Sequence, residues 1–198
     1  MKNSILEHSL VKEIRNCKIC AAHLPHGINP IVSFSTHSRI AVVGQAPGRI
    51  VHETGIPWND KSGERLRKWM DVTDAQFYDP RLFALIPMGF CYPGTGKSGD
   101  LPPRKECAPA WHTEIFNRMK QLSLIILIGK YATNYYLPDV KINSLTQIIK
   151  DYSSFLPGTF ILPHPSPRNN IWLKKNEWFE KEVIPHMQQI VAEILNHK

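Results

Sequence analysis

Two stretches of this 198-residue chain combine side chains that can do chemistry with backbone that can hold them still. In Leu162–Asn169 an apolar run breaks into His-Pro-Ser-Pro-Arg-Asn, which puts His164, Ser166, Arg168 and Asn169 on one proline-stiffened loop. A neutral imidazole fixed in place is a hydrogen-bond donor for negative charge that develops on a leaving group. In Arg39–Gly48 a second apolar run breaks into Gly44-Gln45-Ala46-Pro47-Gly48, where the glycines permit close backbone approach and Pro47 stiffens the turn. Thr54-Gly-Ile-Pro-Trp58 and Asp60-Lys-Ser-Gly63 follow. Trp58, between Pro57 and Asn59-Asp60, offers a flat face on a rigid loop rather than an ordinary core position. Asp60 is a carboxylate that could orient water or stabilise a cationic centre, and it reads equally well as the N-cap of the helix that opens near Ser62. Gln45 cannot act as a base and Ala46 carries no functional group. Glu53 is the other nearby carboxylate, and His52 is an imidazole in the same loop that could stand in.

The four cysteines form the second chemical feature. Cys17-Lys-Ile-Cys20 is a CxxC pair, with Cys91 and Cys107 far downstream. The pair follows an amphipathic helical pattern rather than a strand, which argues against a thioredoxin-type redox site. Four thiolates suit tetrahedral zinc or a [4Fe–4S] cluster, and four unrelated buried thiols are the alternative. Gly94-Thr-Gly-Lys97-Ser98 looks like the end of a P-loop. It lacks the upstream glycine, where Cys91 stands, and Gly99, Pro102 and Pro103 forbid a helix at Lys97.

The elements that must position these residues alternate. Helical spacing marks Ile5–Arg15 through Ile5, Leu6, Leu10, Val11 and Ile14, and further helices are predicted over Glu64–Val72, Ala108–Lys120, Tyr131–Tyr136 and Trp178–Asn196. Buried strands are predicted over Ile40–Val43, Leu82–Ile86, Leu122–Ile128 and Thr159–Leu162, with a Gly/Pro-rich segment from Pro87 to Pro103. Buried strands alternating with helices predict an α/β three-layer sandwich around a four-stranded, mainly parallel sheet, within one domain spanning residues 1–198. Two strands that each end in a constrained polar loop are how such a fold builds a site at the carboxyl edge of its sheet.

Composition bounds the remaining choices. At 42% hydrophobic and 21% charged the chain has a globular composition, and its longest apolar run, Leu122–Ile128, is too short for a bilayer. The N-terminal stretch has no apolar core or small-residue cleavage site, so a cytoplasmic location and no membrane partner are expected. The charge of +7 and pI near 9.3 favour a polyanionic partner, and the basic clusters follow the two loops.

From Cys17 to Trp178 the chain resembles the uracil-DNA glycosylase superfamily. The turn Gly44–Gly48 with Thr54–Trp58 and Asp60–Gly63 resembles that superfamily's first motif, and His164–Asn169 resembles the second motif of the single-strand-selective monofunctional uracil glycosylases. The order and placement of Cys17, Cys20, Cys91 and Cys107 resemble the iron–sulfur branch and imply a structural [4Fe–4S] cluster, with zinc as the second choice. By this resemblance His164 donates to the pyrimidine O2 and Trp58 stacks on a flipped base. Ser166, Arg168 and Asn169 press into the groove, with Lys97 as a further phosphate contact. Many members carry a carboxylate or amide inside the first turn. Here Gln45 and Ala46 stand there, against the reacting sugar and the base, so Asp60 takes the carboxylate's role by analogy with a branch that carries Asp before its Ser-Gly pair. Ile86-Pro87-Met88-Gly89 occupies the place of an Asn that reads the uracil edge, which leaves the backbone of Met88 and Gly89 to do so.

The resemblance implies a DNA glycosylase that removes a damaged pyrimidine, uracil first, and acts as a monomer on DNA, with single-stranded DNA a candidate substrate. No lysine stands in either motif as an obvious Schiff-base nucleophile, so no strand cleavage is expected. A non-catalytic binder of single-stranded or damaged DNA is the rival, and a hydrolase of free nucleosides or nucleotides is a third reading.

Overall fold

The apolar runs that break into turns are the strands of one sheet. A computed structural model describes residues 2–97, 99–140 and 144–196, so Ser98 lies outside the described residues, as do the side chains of Ile5 and Leu6. In chain order the elements are α1 (Lys2–Arg15), β1 (Ile40–Val43), α2 (Arg49–Thr54), α3 (Lys61–Met70), α4 (Asp74–Phe77), β2 (Phe83–Leu85), β3 (Thr95–Gly96) and β4 (Gly99–Asp100). They continue with α5 (Cys107–Arg118), β5 (Leu124–Ile128), α6 (Gly129–Tyr136), α7 (Leu145–Lys150), β6 (Thr159–Leu162), α8 (Asn170–Lys175) and α9 (Ile184–Asn196). No helix among the described residues is long and apolar enough to cross a membrane.

The sheet runs β2-β1-β5-β6 and is parallel throughout. Its strands are buried along nearly their whole length, as a parallel sheet covered on both faces requires. Alternation sorts the side chains. Ile40, Val42, Leu85, Ile126 and Phe160 pack with Leu66, Trp69 and Met70 of α3 and with Met187 and Val191 of α9. Ala41 and Ala84 turn the other way, toward Leu10 and Ile14 of α1 and Ile115 of α5, while Val43 and Leu127 meet Ala132 of α6. Each large apolar side chain removed from water here contributes about 1.5–3 kcal/mol. The chain leaves β1 toward β2, then returns to place β5 on β1's other flank. The strand order therefore reverses between β1 and β5, and the crevice beyond their carboxyl ends is where this architecture puts ligands.

Several boundaries differ from the sequence reading, each for a local reason. The helix expected to open at Glu64 starts at Lys61, because the Asp60 side chain caps it by accepting from the Gly63 N–H at 2.8 Å. It stops at Met70, where Asp71 turns left-handed at φ 53°. The closing helix does not run unbroken from Trp178. Phe179–Val183 is π-helical, and α9 follows with Pro185, whose missing N–H interrupts the ladder at that point. The segment from Pro87 to Pro103 contains a small antiparallel hairpin, with Thr95 opposite Asp100 and Gly96 opposite Gly99. Gly94 and Gly99 take φ of 98° and 132°, which side chains rarely adopt.

Candidate active site

A cavity of about 560 Å³ opens at the carboxyl edge of the sheet, and it is built from loops that follow four strands. The turn after β1 supplies Gly44, Gln45, Ala46, Pro47 and Gly48, and the stretch leading into α3 adds Trp58 and Asp60. The loop after β6 supplies His164, Ser166, Arg168 and Asn169. The two loops singled out in the sequence thus face each other across one space.

His164 sits on that space with its orientation fixed. The Ser166 N–H donates to His164 Nδ1 at 3.2 Å, so in the neutral ring the proton is on Nε2. Burial pushes the imidazole below its ordinary value of 6.5, and the carboxylates of Asp60 and then Asp100 push back. The loop is braced on both sides. Asn169 Nδ2 donates to the His164 carbonyl at 2.7 Å, and Arg65 of α3 donates to the Pro165 and Ser166 carbonyls at 3.3 and 3.2 Å and to Asn170 Oδ1 at 2.8 Å. Ser166 Oγ accepts from the Arg168 N–H at 3.3 Å. Asn169 and Ser166 therefore shape the loop as well as line the cavity.

Trp58 is half-buried, with its ring centroid 6.0 Å from that of His164 and the planes 31° apart. Its indole also packs on the α3/α9 core, so the loop and core readings are both met in one residue. Its backbone is left-handed at φ 56°, and two glycines make room for it. A Cβ on Gly44 would lie 2.6 Å from Trp58 Cζ2, and one on Gly63 only 1.7 Å from the Trp58 carbonyl oxygen. Arg67 Nη1 and the Tyr78 hydroxyl donate to that same oxygen at 3.3 and 3.5 Å. Burial of Arg67 is offset by its ion pair with Asp74 at 2.6 Å.

Asp60 lines the cavity while its Oδ1 caps α3, so the capping reading holds and the same residue borders the cavity. Gln45 lines the cavity and its Nε2 donates to the Leu101 carbonyl at 3.2 Å, which ties the first turn to the hairpin. Met88 and Gly89 are not among the cavity's lining residues. Their N–H groups donate to the Gly44 and Gln45 carbonyls at 2.9 and 3.0 Å, so those donors support the turn and are not free to read a base. Lys97 is exposed at the hairpin tip and away from the lining, and neither His52 nor Glu53 lines it. His52 Nε2 donates to the His26 carbonyl at 3.2 Å, and Glu53 pairs with Arg49 at 3.8 Å.

Lys130, Tyr131 and Asp100 are polar lining residues that sequence reasoning missed. Lys130 and Tyr131 follow β5 directly, and the carboxyl-edge rule that selected the other loops would have found them. Asp100 arrives on the hairpin, for which the sequence carries no periodic signal.

Cys17, Cys20, Cys91 and Cys107 line a second, small cavity with Phe90 and Trp111, and no disulfide joins them. Burial pushes Cys91 to about 11 and Cys107 to about 12 and raises Cys20, and the neighbouring thiols add to each shift. A set of thiolates here would need a cationic group among them. The Phe90 N–H donates to Cys107 Sγ at 3.3 Å, the kind of contact that supports a ligating sulfur. Among the described residues no three such side chains sit close enough to grip a single metal ion.

A sequence model described as the uracil DNA glycosylase superfamily matches residues 32–188, which takes in both site loops and the whole parallel sheet.

Proposed function

The chain belongs to the uracil DNA glycosylase superfamily, and from that premise we propose that it flips a damaged pyrimidine, uracil first, out of DNA and hydrolyses its N-glycosidic bond. The observation that carries this reading is His164, a half-buried imidazole that accepts from the Ser166 N–H, so that Nε2 carries the proton, and that lines the same cavity as Trp58. Membership brings a DNA glycosylase type of function and DNA as the partner. The lesion, the role in base excision repair, the monomeric state and the absence of strand cleavage are part of the proposal.

The chemistry follows from placement. The flipped base stacks against Trp58, and His164 Nε2–H donates to the pyrimidine O2. As the bond from C1′ to the base nitrogen breaks, its electron pair moves onto the base, and the donated hydrogen bond strengthens as O2 becomes anionic. The negative charge of Asp60 stabilises the cationic sugar. Water then bonds to C1′, and its proton ends on the base. Arg168 and Lys130 at the cavity and Lys97 on the hairpin meet phosphates. Lys61 is held by Glu64 at 3.3 Å and Lys130 lies over the Tyr131 ring at 5.2 Å, so neither is assigned as a Schiff-base nucleophile.

The cysteine cavity completes the proposal. Cys17, Cys20, Cys91 and Cys107 line one cavity, with the Phe90 N–H donated to Cys107 Sγ, and this thiol set is suited to hold a [4Fe–4S] cluster. Its contribution would be structural, tying the end of α1 to the start of α5.

The test is cleavage of single- and double-stranded oligonucleotides that carry one uracil, with alkali to reveal abasic sites. Wild-type protein is expected to release uracil, and His164→Ala to lose at least about 100-fold in rate while DNA binding stays within a few-fold. DNA binding without turnover on any pyrimidine lesion would favour a non-catalytic binder. Turnover of free nucleosides without DNA affinity would favour the nucleoside hydrolase.

A further inference from the structure

Asp60 and Asp100 are the carboxylates among the cavity's lining residues, and their situations differ. Asp60 Oδ1 is occupied by the Gly63 N–H at the start of α3. Asp100 stands at the end of the β3–β4 hairpin, exposed, with the Thr95 hydroxyl at a long 3.5 Å from Oδ1. Its Oδ2 lies against the first turn, 3.4 Å from where a Cβ on Gly48 would be. That turn holds Gln45 and Ala46, which supply no base.

The hairpin that carries Asp100 is fixed from several directions. The Leu101 N–H donates to the Gly94 carbonyl at 2.8 Å, and Gln45 Nε2 donates to the Leu101 carbonyl at 3.2 Å. The hydroxyls of Tyr92 and Thr95 share a hydrogen bond of 2.5 Å. On the cavity side the Arg168 guanidinium packs onto Gly99 so closely that a Cβ there would meet Nη1 at 1.8 Å. The hairpin is thus gripped by both site loops, and Asp100 is placed between them. The backbone that carries Asp100 is thus fixed at the cavity, while its carboxylate, with only the long Thr95 contact among the described residues, has oxygens open to bind water.

We propose that Asp100 is the general base of this site: its carboxylate binds the attacking water and takes its proton, while Asp60 stabilises the cationic sugar. The inference rests on the glycosylase reading. In the step, a water lone pair forms the new bond to C1′. The bond from C1′ to the base breaks, and its electron pair leaves with the base, held by His164. The water proton passes to Asp100 and from there to the departed base, so enzyme and charge return to their starting state. Two carboxylates in one cavity then hold separate roles, set by what already binds each of them.

The experiment measures single-turnover uracil release from a single-stranded oligonucleotide by wild type, Asp100→Ala and Asp60→Asn, with and without added formate. Binding of the same oligonucleotide is followed by fluorescence anisotropy. Asp100→Ala is expected to lose about 100-fold or more in rate with binding unchanged, and formate is expected to restore part of it in proportion to its concentration. Formate is expected to leave Asp60→Asn unrestored, because its Asn still fills the site. Full activity in Asp100→Ala, or a loss that formate does not restore, overturns the assignment while the glycosylase reading stands. Absence of release by wild-type protein across a panel of pyrimidine lesions overturns the reading itself, and this inference with it.

Discussion

Trp58 shows how much of this site is set by residues that never touch a substrate. Its left-handed backbone is uncommon for a bulky side chain, and it persists because Arg67 and Tyr78 hold its carbonyl and Gly63 leaves space beneath it. Gly63→Ala is expected to cost about 1–3 kcal/mol in stability by overpacking, and to weaken binding of a uracil-containing strand more than an undamaged one. Thermal melting and the two affinities check it, and equal losses on both strands would contradict it. At His164 the sign of the pH effect follows from burial. An imidazole whose value is pushed below 6.5 takes up its proton at lower pH than a free one, so the acid-side fall in uracil release is expected to lie below 6.5. A pH–rate profile that breaks at 6.5 on the acid side would contradict that environment. The residue types of this site were legible in the sequence because loops after buried strands stood out. The clamp on Trp58 was not, because it depends on Arg67 and Tyr78, which sit outside both loops and meet only in three dimensions.

At the level of elements, His112 joins three parts of the fold. It lies on α5, fully buried, with Nε2 donating to the Pro87 carbonyl at 3.1 Å and Nδ1 accepting from the Tyr136 hydroxyl of α6 at 2.6 Å. Pro87 lines the cavity, so this histidine helps to fix its wall. Burial pushes His112 down to about 4. The unfolded chain therefore takes up a proton between pH 6.5 and about 4 that the folded chain refuses, and stability falls across that window by up to about 3 kcal/mol. His112→Gln is expected to flatten this part of the acid unfolding profile, whatever it does to stability at neutral pH. Identical acid slopes in the two proteins would contradict the assignment. The four strands and most helices could be read from the sequence because apolar runs and helical spacing persist over whole elements. The β3–β4 hairpin could not, since two-residue strands have no period, and so Asp100 was missed. The displaced start of α3 was foreshadowed by Asp60 as a capping residue.

For the whole molecule, the site cavity and the cysteine cavity are connected by one segment. Cys91 and Cys107 bracket the hairpin that brings Asp100 to the cavity, so whatever the four cysteines hold bears on the active site through that segment. Protein purified without oxygen is expected to be brown and to carry about four irons per chain. Colourless protein that retains one zinc per chain would contradict the cluster. The charge of +7 fits a polyanionic ligand, and binding to single-stranded DNA is expected to weaken as salt rises, with a log–log slope of about −0.7 for each phosphate contacted. Affinity that ignores salt would point away from DNA. The sequence showed the CxxC pair plainly, but the convergence of Cys91 and Cys107 on it depends on the path of the chain through β2 and into α5.

The most direct measurement is mass spectrometry of the products when wild-type protein acts on a single-uracil oligonucleotide. Free uracil and an intact strand bearing one abasic site are expected, with both products lost in His164→Ala. An unaltered oligonucleotide after prolonged incubation of protein that still binds it would contradict the claim that this fold catalyses base release.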